Sequence, residues 1–194
     1  MNGSKAGENE MIRYIGKFIG ITLGILPFYL LLRRPWRKKS KREWVLGGFI
    51  LYTAALLALA LEGTYGNPEW MAQEAVRRIR TGEGINLIPF RTIRNFFTHF
   101  TFDGFMVNIV GNIVMFMPWG FGLVLLWRKN RIFAAVILYS IALPLLIETS
   151  QLFIGRNVDV DDLILNFAGS CLGAGLYCLL QKVVFGGKHL KNCC

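Results

Sequence analysis

Five apolar stretches, roughly residues 12–32, 44–62, 104–127, 131–154 and 162–185, are each long enough to cross a bilayer, which takes about 20 helical residues at about 1.5 Å each. Segments of this kind satisfy their own backbone hydrogen bonds in hydrocarbon by being helices. The expected fold class is therefore all-α: a polytopic membrane protein, a bundle of about five transmembrane helices with a short amphipathic extracytoplasmic segment. An apolar content of 54% and a mean hydropathy of +0.43 exclude an ordinary soluble domain for this 194-residue chain. The first stretch reads as a retained helix, with Lys17 snorkelling at its outer end. Its run from Ile19 to Leu32 meets Arg33-Arg34-Pro35-Trp36 with no small-residue cleavage site.

A net charge of +10 invites a nucleic-acid reading, but the basic residues sit between the apolar stretches and are not spread over a soluble face. Arg33-Arg34-Pro35-Trp36-Arg37-Lys38-Lys39-Ser40-Lys41-Arg42 carries seven cations, Arg128-Lys129-Asn130-Arg131 three, and the tail Lys182, Lys188 and Lys191 three more. By the positive-inside bias these segments are cytoplasmic, where they also meet anionic lipid. Five alternating spans then put the N-terminus outside and the C-terminus in the cytoplasm. Every acidic residue except Glu43 falls on or near the outer side. Cys171 and Cys178, seven apart on the last span, and Cys193-Cys194 in the tail lack metal-site spacing and read as core packing and spare thiols.

The long outer connection, about residues 63–103, is expected to lie along the membrane. Asn67-Pro68-Glu69-Trp70 supplies a cap residue, a first-turn proline and a first-turn acid, and Met71, Ala72, Ala75, Val76 and Ile79 follow at helical spacing, with Arg77, Arg78 and Arg80 among them. Phe90, Ile93, Phe97 and Phe100 form a second stripe around Arg91 and Arg94. Between the two, Thr81-Gly82-Glu83-Gly84-Ile85-Asn86-Leu87-Ile88-Pro89-Phe90 reads as a loop entering the outer leaflet. His99 reads as an interfacial side chain.

Polar residues interrupt the last three spans at one depth. Asn108 and Asn112 are four apart on the third span, with Gly111 beside them to permit close approach. Glu148 and Gln151 are three apart on the fourth, and Asp159, Asp162 and Asn166 step by three and four into the fifth. A charged group at the centre of a spanning helix costs about 2.5–3.5 kcal/mol, so Glu148 is read as functional. A hydrogen-bonded plug joining three helices is the plain alternative. As a pocket open to the outer leaflet, the set uses Arg156, with Arg91 or Arg94, to hold a phosphate or carboxylate, while Asn and Gln amides read a sugar or peptide group. Glu148 and the neighbouring acids can act as general acid or base, or hold a divalent cation through oxygen. Pro118 and Pro144 free the carbonyls of Val114 and Ser140 and kink their helices. Kinked polar helices also suit a transporter, but the polar residues gather at one end.

In order along the chain, Asn86-Leu87-Ile88-Pro89-Phe90, Asn108-Ile109-Val110-Gly111-Asn112-Ile113, Phe116-Met117-Pro118-Trp119-Gly120-Phe121, Glu148-Thr149-Ser150-Gln151 and Gly155-Arg156-Asn157-Val158-Asp159-Val160-Asp161-Asp162 with Asn166 and Gly169 resemble the VanZ-like family. Trp119 stands where the family has a small aliphatic residue. The resemblance covers roughly residues 45–185 and implies residues 1–43 as an N-terminal transmembrane helix and basic cytoplasmic loop, 44–185 as the VanZ-like membrane domain and 186–194 as a short tail. It further implies a bacterial inner-membrane protein of the cell envelope, some of whose relatives confer teicoplanin resistance that spares vancomycin.

Three expectations follow. The first is an outer pocket of Asn86, Asn108, Asn112, Glu148, Gln151, Arg156, Asp159, Asp162 and Asn166 that binds a lipid-linked cell-wall intermediate or the lipoglycopeptide. The second is a membrane enzyme that alters a lipid or precursor head group, with Glu148 or Asp162 as acid or base and Arg156 on an anion. The third is a structural or assembly subunit. Membrane lipids are expected partners in each, and nucleic acid in none.

Overall fold

A computed structural model describes residues 16, 19–20, 22–33, 40–61, 63, 66–127 and 132–185. The tail 186–194, the connection 128–131 and residues 34–39, which carry most of the expected topology signal, lie outside the described residues, as does most of the chain ahead of residue 22. The chain divides into two compact units, Met1–Glu62 and Gly63–Cys194.

Within the first unit, helix α1 (Thr22–Arg33) is apolar but shorter than a span, the rest of the expected span 12–32 falling mainly outside the described residues. Helix α2 (Lys41–Ala60) is long enough to cross. Arg33 at the end of α1 grips Glu43 in the first turn of α2 in a two-pronged pair, Nε to Oε2 at 3.2 Å and Nη2 to Oε1 at 3.1 Å. The Tyr29 hydroxyl donates to the Glu43 carbonyl. Gly47 leaves room for the Tyr29 ring, which a Cβ there would meet at 3.2 Å.

The second unit opens with helix α3 (Pro68–Thr81), as the capping pattern predicts. The Asn67 side chain accepts the Trp70 N–H at 2.8 Å, and Gly82, at φ 70°, closes the far end. Strand β1 (Ile85–Asn86) follows, then helix α4 (Arg91–Thr98). Three long helices complete the unit: α5 (Phe102–Leu126), α6 (Ile132–Phe153) and, after strand β2 (Val158–Asp159), α7 (Val160–Phe185). Among the described residues four helices are long and apolar enough to cross a membrane: α2, α5, and the segments Ala134–Phe153 of α6 and Val160–Val183 of α7. The protein is an all-α, multi-pass membrane protein. Val107, Val114, Leu138, Leu145, Leu172 and Leu179 point outward from the second unit, the surface such helices offer to lipid.

The α5–α7 pair forms the core of the second unit, and glycine makes it possible. A Cβ on Gly169 would stand 2.2 Å from the Ile113 carbonyl oxygen, one on Gly173 1.8 Å from that of Met117, and one on Gly120 1.8 Å from that of Ser170. The two helices therefore touch backbone to backbone, the small-residue packing that membranes favour. Both partner positions advance by four residues together, from Ile113 and Gly169 to Met117 and Gly173, so the helices run parallel. The expectation that Gly111 provides the close approach is corrected: the one atom a Cβ there would meet is the Met106 carbonyl of its own helix, at 3.4 Å. Cys171 is exposed and Cys178 half-buried, so Cys171 does not pack in the core.

Replacing Gly173 by leucine should force α5 and α7 apart. The expected loss is about 1–3 kcal/mol or more from overpacking, read as a lower melting temperature and a smaller monodisperse fraction in mild detergent. Gly175→Ala, where a Cβ meets nothing within 4 Å, should leave both unchanged.

Candidate functional site

The site is built where the connection between α2 and α5 is stitched to the start of α7. Strands β1 and β2 pair in parallel, Ile85 with Val158 and Asn86 with Asp159. The Val158 N–H donates to the Gly84 carbonyl at 2.8 Å. Residues 81–90, expected to be a leaflet-entering loop, are thus in part a strand held by backbone hydrogen bonds. Gly84, at φ 66°, fits because a Cβ would meet Arg78 Nη2 and Asn157 Oδ1 at 2.7 Å each.

Asp161 anchors the next element. Its carboxylate accepts the N–H groups of Phe90 (2.5 Å), Thr92 (2.7 Å) and Ile93 (3.0 Å), so a residue 68–71 positions away caps α4. The local cap position is Phe90, which has no side-chain acceptor and sits at φ 64°. Asp161 is fully buried, and its charge is met by three N–H dipoles at the positive end of a helix. Asp159 plays a parallel part. Its Oδ1 accepts from Asn86 Nδ2 (2.9 Å) and from the Asp161 N–H (2.9 Å), and its Oδ2 from the Thr92 hydroxyl (2.5 Å). Asn86 also donates to Thr92 Oγ1 at 3.0 Å.

Glu148, 5% exposed on α6, accepts the Asp159 N–H through Oε2 at 3.0 Å. Asn112 on α5 donates to Asp162 Oδ1 at 2.8 Å, joining α5 to α7. Glu148 lies within electrostatic reach of Asp162, Asp159 and Arg156. Gln151 and Asn166 are buried beside these groups on α6 and α7, and the Gln151 carbonyl closes the α6 end by accepting from Ile154 and Arg156 N–H. Of the residues expected from sequence, the fold brings together Asn86, Asn112, Glu148, Asp159 and Asp162 by direct hydrogen bonds or backbone contact. Asn108 is not brought in. It is exposed and donates to the Gly104 carbonyl at 2.9 Å. Asn108 sits inside the widened π-helical turn Met106–Val110, just ahead of Asn112's α-helical segment, so i, i+4 spacing does not hold the two on one face. Arg156 is exposed at the loop after α6, its backbone carbonyl held by Arg78.

The VanZ/LLP1 family model matches residues 49–181, most of the chain. The chain belongs to the VanZ/LLP1 family. That family is linked to glycopeptide resistance. No curated protein and no solved structure matches the chain.

Two VanZ/LLP1-domain residues that carry the geometry escaped the sequence reading. Asp161 was passed over because the three-then-four helical step runs through Asp159, Asp162 and Asn166. In the sequence Arg78 is one of three arginines along α3 with no motif to set it apart, yet it is 6% exposed. Its guanidinium donates to the carbonyls of Gly155 (3.2 Å) and Arg156, and its Nε lies 3.2 Å from Glu74. Its spacing from Ala75 on the buried face of α3 was the available signal. For a divalent cation, no group of three His, Cys, Asp or Glu side chains is arranged to hold an ion among the described residues. A cavity of about 360 Å³ does open at the seam, lined by Gly82, Gly84, Asn86, Arg91, Thr92, Asn157 and Asp159.

Asp161→Ala should leave three N–H groups without acceptors, at about 1–3 kcal/mol each for those kept from water. Hydrogen–deuterium exchange over residues 90–98 should accelerate, with Asp161→Asn intermediate. A smaller pH effect comes from α3. The hydrogen bond from Arg77 holds the Glu74 carboxyl below its ordinary value of 4.5. The pair therefore contributes fully above pH 4.5 and is lost as pH falls through the lower folded value. Glu74→Gln should remove that portion of the acid limb of a thermal-stability profile and leave the neutral region flat.

Proposed function

We propose that the seam cavity binds the polar head group of an amphiphile in the outer leaflet, a lipid-linked cell-wall intermediate or a lipoglycopeptide, and that this binding underlies teicoplanin-type resistance. The observation that carries the reading is the pairing of a polar cavity with an apolar rim. Arg91, Asn86, Thr92 and Asn157 offer a cation, amides and a hydroxyl to a phosphate, sugar or peptide group. The segment joining its walls, from Leu87 to Phe90, exposes Leu87, Ile88 and Phe90, on which an acyl chain can lie. An acylated glycopeptide concentrates at a membrane surface, whereas a non-acylated one does not, so selectivity for the former follows from a site at this height. In this reading the protein sits in the bacterial inner membrane with its N-terminus outside, its C-terminus cytoplasmic and the seam on the outer face.

A second reading, an enzyme acting on the same head group, is favoured by one observation. Glu148 Oε2 and Asp162 Oδ1 each accept one hydrogen bond, while no hydrogen bond to Glu148 Oε1 or Asp162 Oδ2 is seen among the described residues. One oxygen on each carboxylate thus remains for proton transfer.

Native mass spectrometry in mild detergent, with teicoplanin or a lipid-linked cell-wall precursor, separates the two. Arg91→Gln and Asn157→Ala should each weaken binding about tenfold, as loss of a charge-assisted or buried hydrogen bond does, with the ligand mass unchanged in the parent protein. A ligand mass that changes on incubation, and does so only when Glu148 is intact, makes the protein an enzyme. No retained ligand and no mass change would remove both readings.

A further inference from the structure

Serine and threonine hydroxyls in helices usually return their hydrogen bond to the carbonyl one turn back. Here Thr149 donates to Leu145 (2.7 Å), Ser150 to Leu146 (2.7 Å) and Thr53 to Phe49 (2.8 Å). Ser140 on α6 and Ser170 on α7 break this pattern. Both are 0% exposed, and neither hydroxyl has a hydrogen-bond partner among the described residues. The side-chain oxygen of Asn166, a residue 4% exposed, is likewise without a donor.

These three groups stack in depth beneath the acids. Asn166 is one turn below Asp162 on α7, and Ser170 two turns, about 12 Å at 1.5 Å per residue; Ser140 is the same eight residues from Glu148 on α6. Counted from the Glu148–Asp159 contact, Ser140 lies eight residues back along α6 and Ser170 eleven residues on along α7, so the two come within about one helical turn of the same level. Gly120, whose Cβ would strike the Ser170 carbonyl, marks that level on α5. Pro144 adds a further acceptor there, since it lacks the N–H that would bond the Ser140 carbonyl.

Buried polar atoms in an apolar interior are satisfied by protein or by bound water, and a site with several such atoms at one level suits water. We propose that the bundle holds an internal water-binding site between Ser140, Ser170 and Asn166, beneath Glu148 and Asp162. It gives those carboxylates access to water from the side away from the seam cavity. The site does not rest on the head-group reading, since its polar atoms lie below the seam and line none of it.

X-ray radiolytic hydroxyl labelling of the full chain in lipid nanodiscs tests this, because radicals form from water held inside a protein. With each signal divided by that side chain's intrinsic reactivity towards hydroxyl radical, Trp119, 9% exposed and next to Gly120, should be modified severalfold more than Leu126, 2% exposed and about 10 Å further along α5. In the Ser140→Ala, Ser170→Ala double variant the Trp119 signal should fall to the Leu126 level, with the melting temperature unchanged or lower. Trp119 no more reactive than Leu126 in the parent protein overturns the proposal, whatever the variant does. So does a double variant that melts higher with labelling unaltered, the behaviour of a dry interior relieved of two unsatisfied hydroxyls.

Discussion

Everything in the membrane unit hangs on two helices that meet without side chains between them. Gly120, Gly169 and Gly173 let α5 and α7 approach to backbone contact, and in lipid such contact is the main source of helix association, because apolar side chains gain little by leaving one hydrocarbon for another. The fixed parallel pairing has a geometric result. It sets Asn112, ten residues into α5, level with the N-terminal end of α7, where it reaches Asp162 and where Asp161 and Asp162 open the helix just after Asp159. The polar site is the end face of the glycine contact.

Four acids at that end face would repel one another in an apolar setting if each had to find a cation. The fold answers most of them with peptide N–H groups. Asp161 takes three from the start of α4, Asp159 takes one from Asp161 along with the Asn86 amide and Thr92 hydroxyl, and Glu148 takes one from Asp159. The network explains why a two-residue strand pairing persists, since β1 is pinned on one side by Asn86 and on the other by the capped helix that follows. It also leaves Arg91 at the cavity wall while Arg78 is spent on the Gly155 and Arg156 carbonyls.

Much of this was legible in the sequence. Hydropathy located α2, α5, α6 and α7 to within a few residues, because a run of apolar side chains about one bilayer long leaves the backbone few alternatives. The Asn67-Pro68-Glu69 start of α3 followed from local capping rules, and the meeting of Asn112 with Asp162 and of Glu148 with Asp159 is in keeping with the helical spacing of those polar residues. What was not legible depended on partners distant in sequence. Asp161 caps a helix some seventy positions earlier, and no local rule points there. Asn108 was misplaced because a π-helical turn alters the angular step. The glycine contact was written as Gly169-x-x-x-Gly173, but only the carbonyls of Ile113 and Met117 reveal what those glycines admit.

Pro144 gives this arrangement a mechanical asymmetry. In the α5–α7 pair, carbonyl meets glycine on both sides of Pro118, so the proline of α5 is braced inside the contact. Helix α6 carries a proline in its middle, with Glu148 one turn beyond it. A bend of α6 about Pro144 would carry the Glu148 carboxylate away from Asp159, and the Asp159 N–H bond is the catch that such a bend must release.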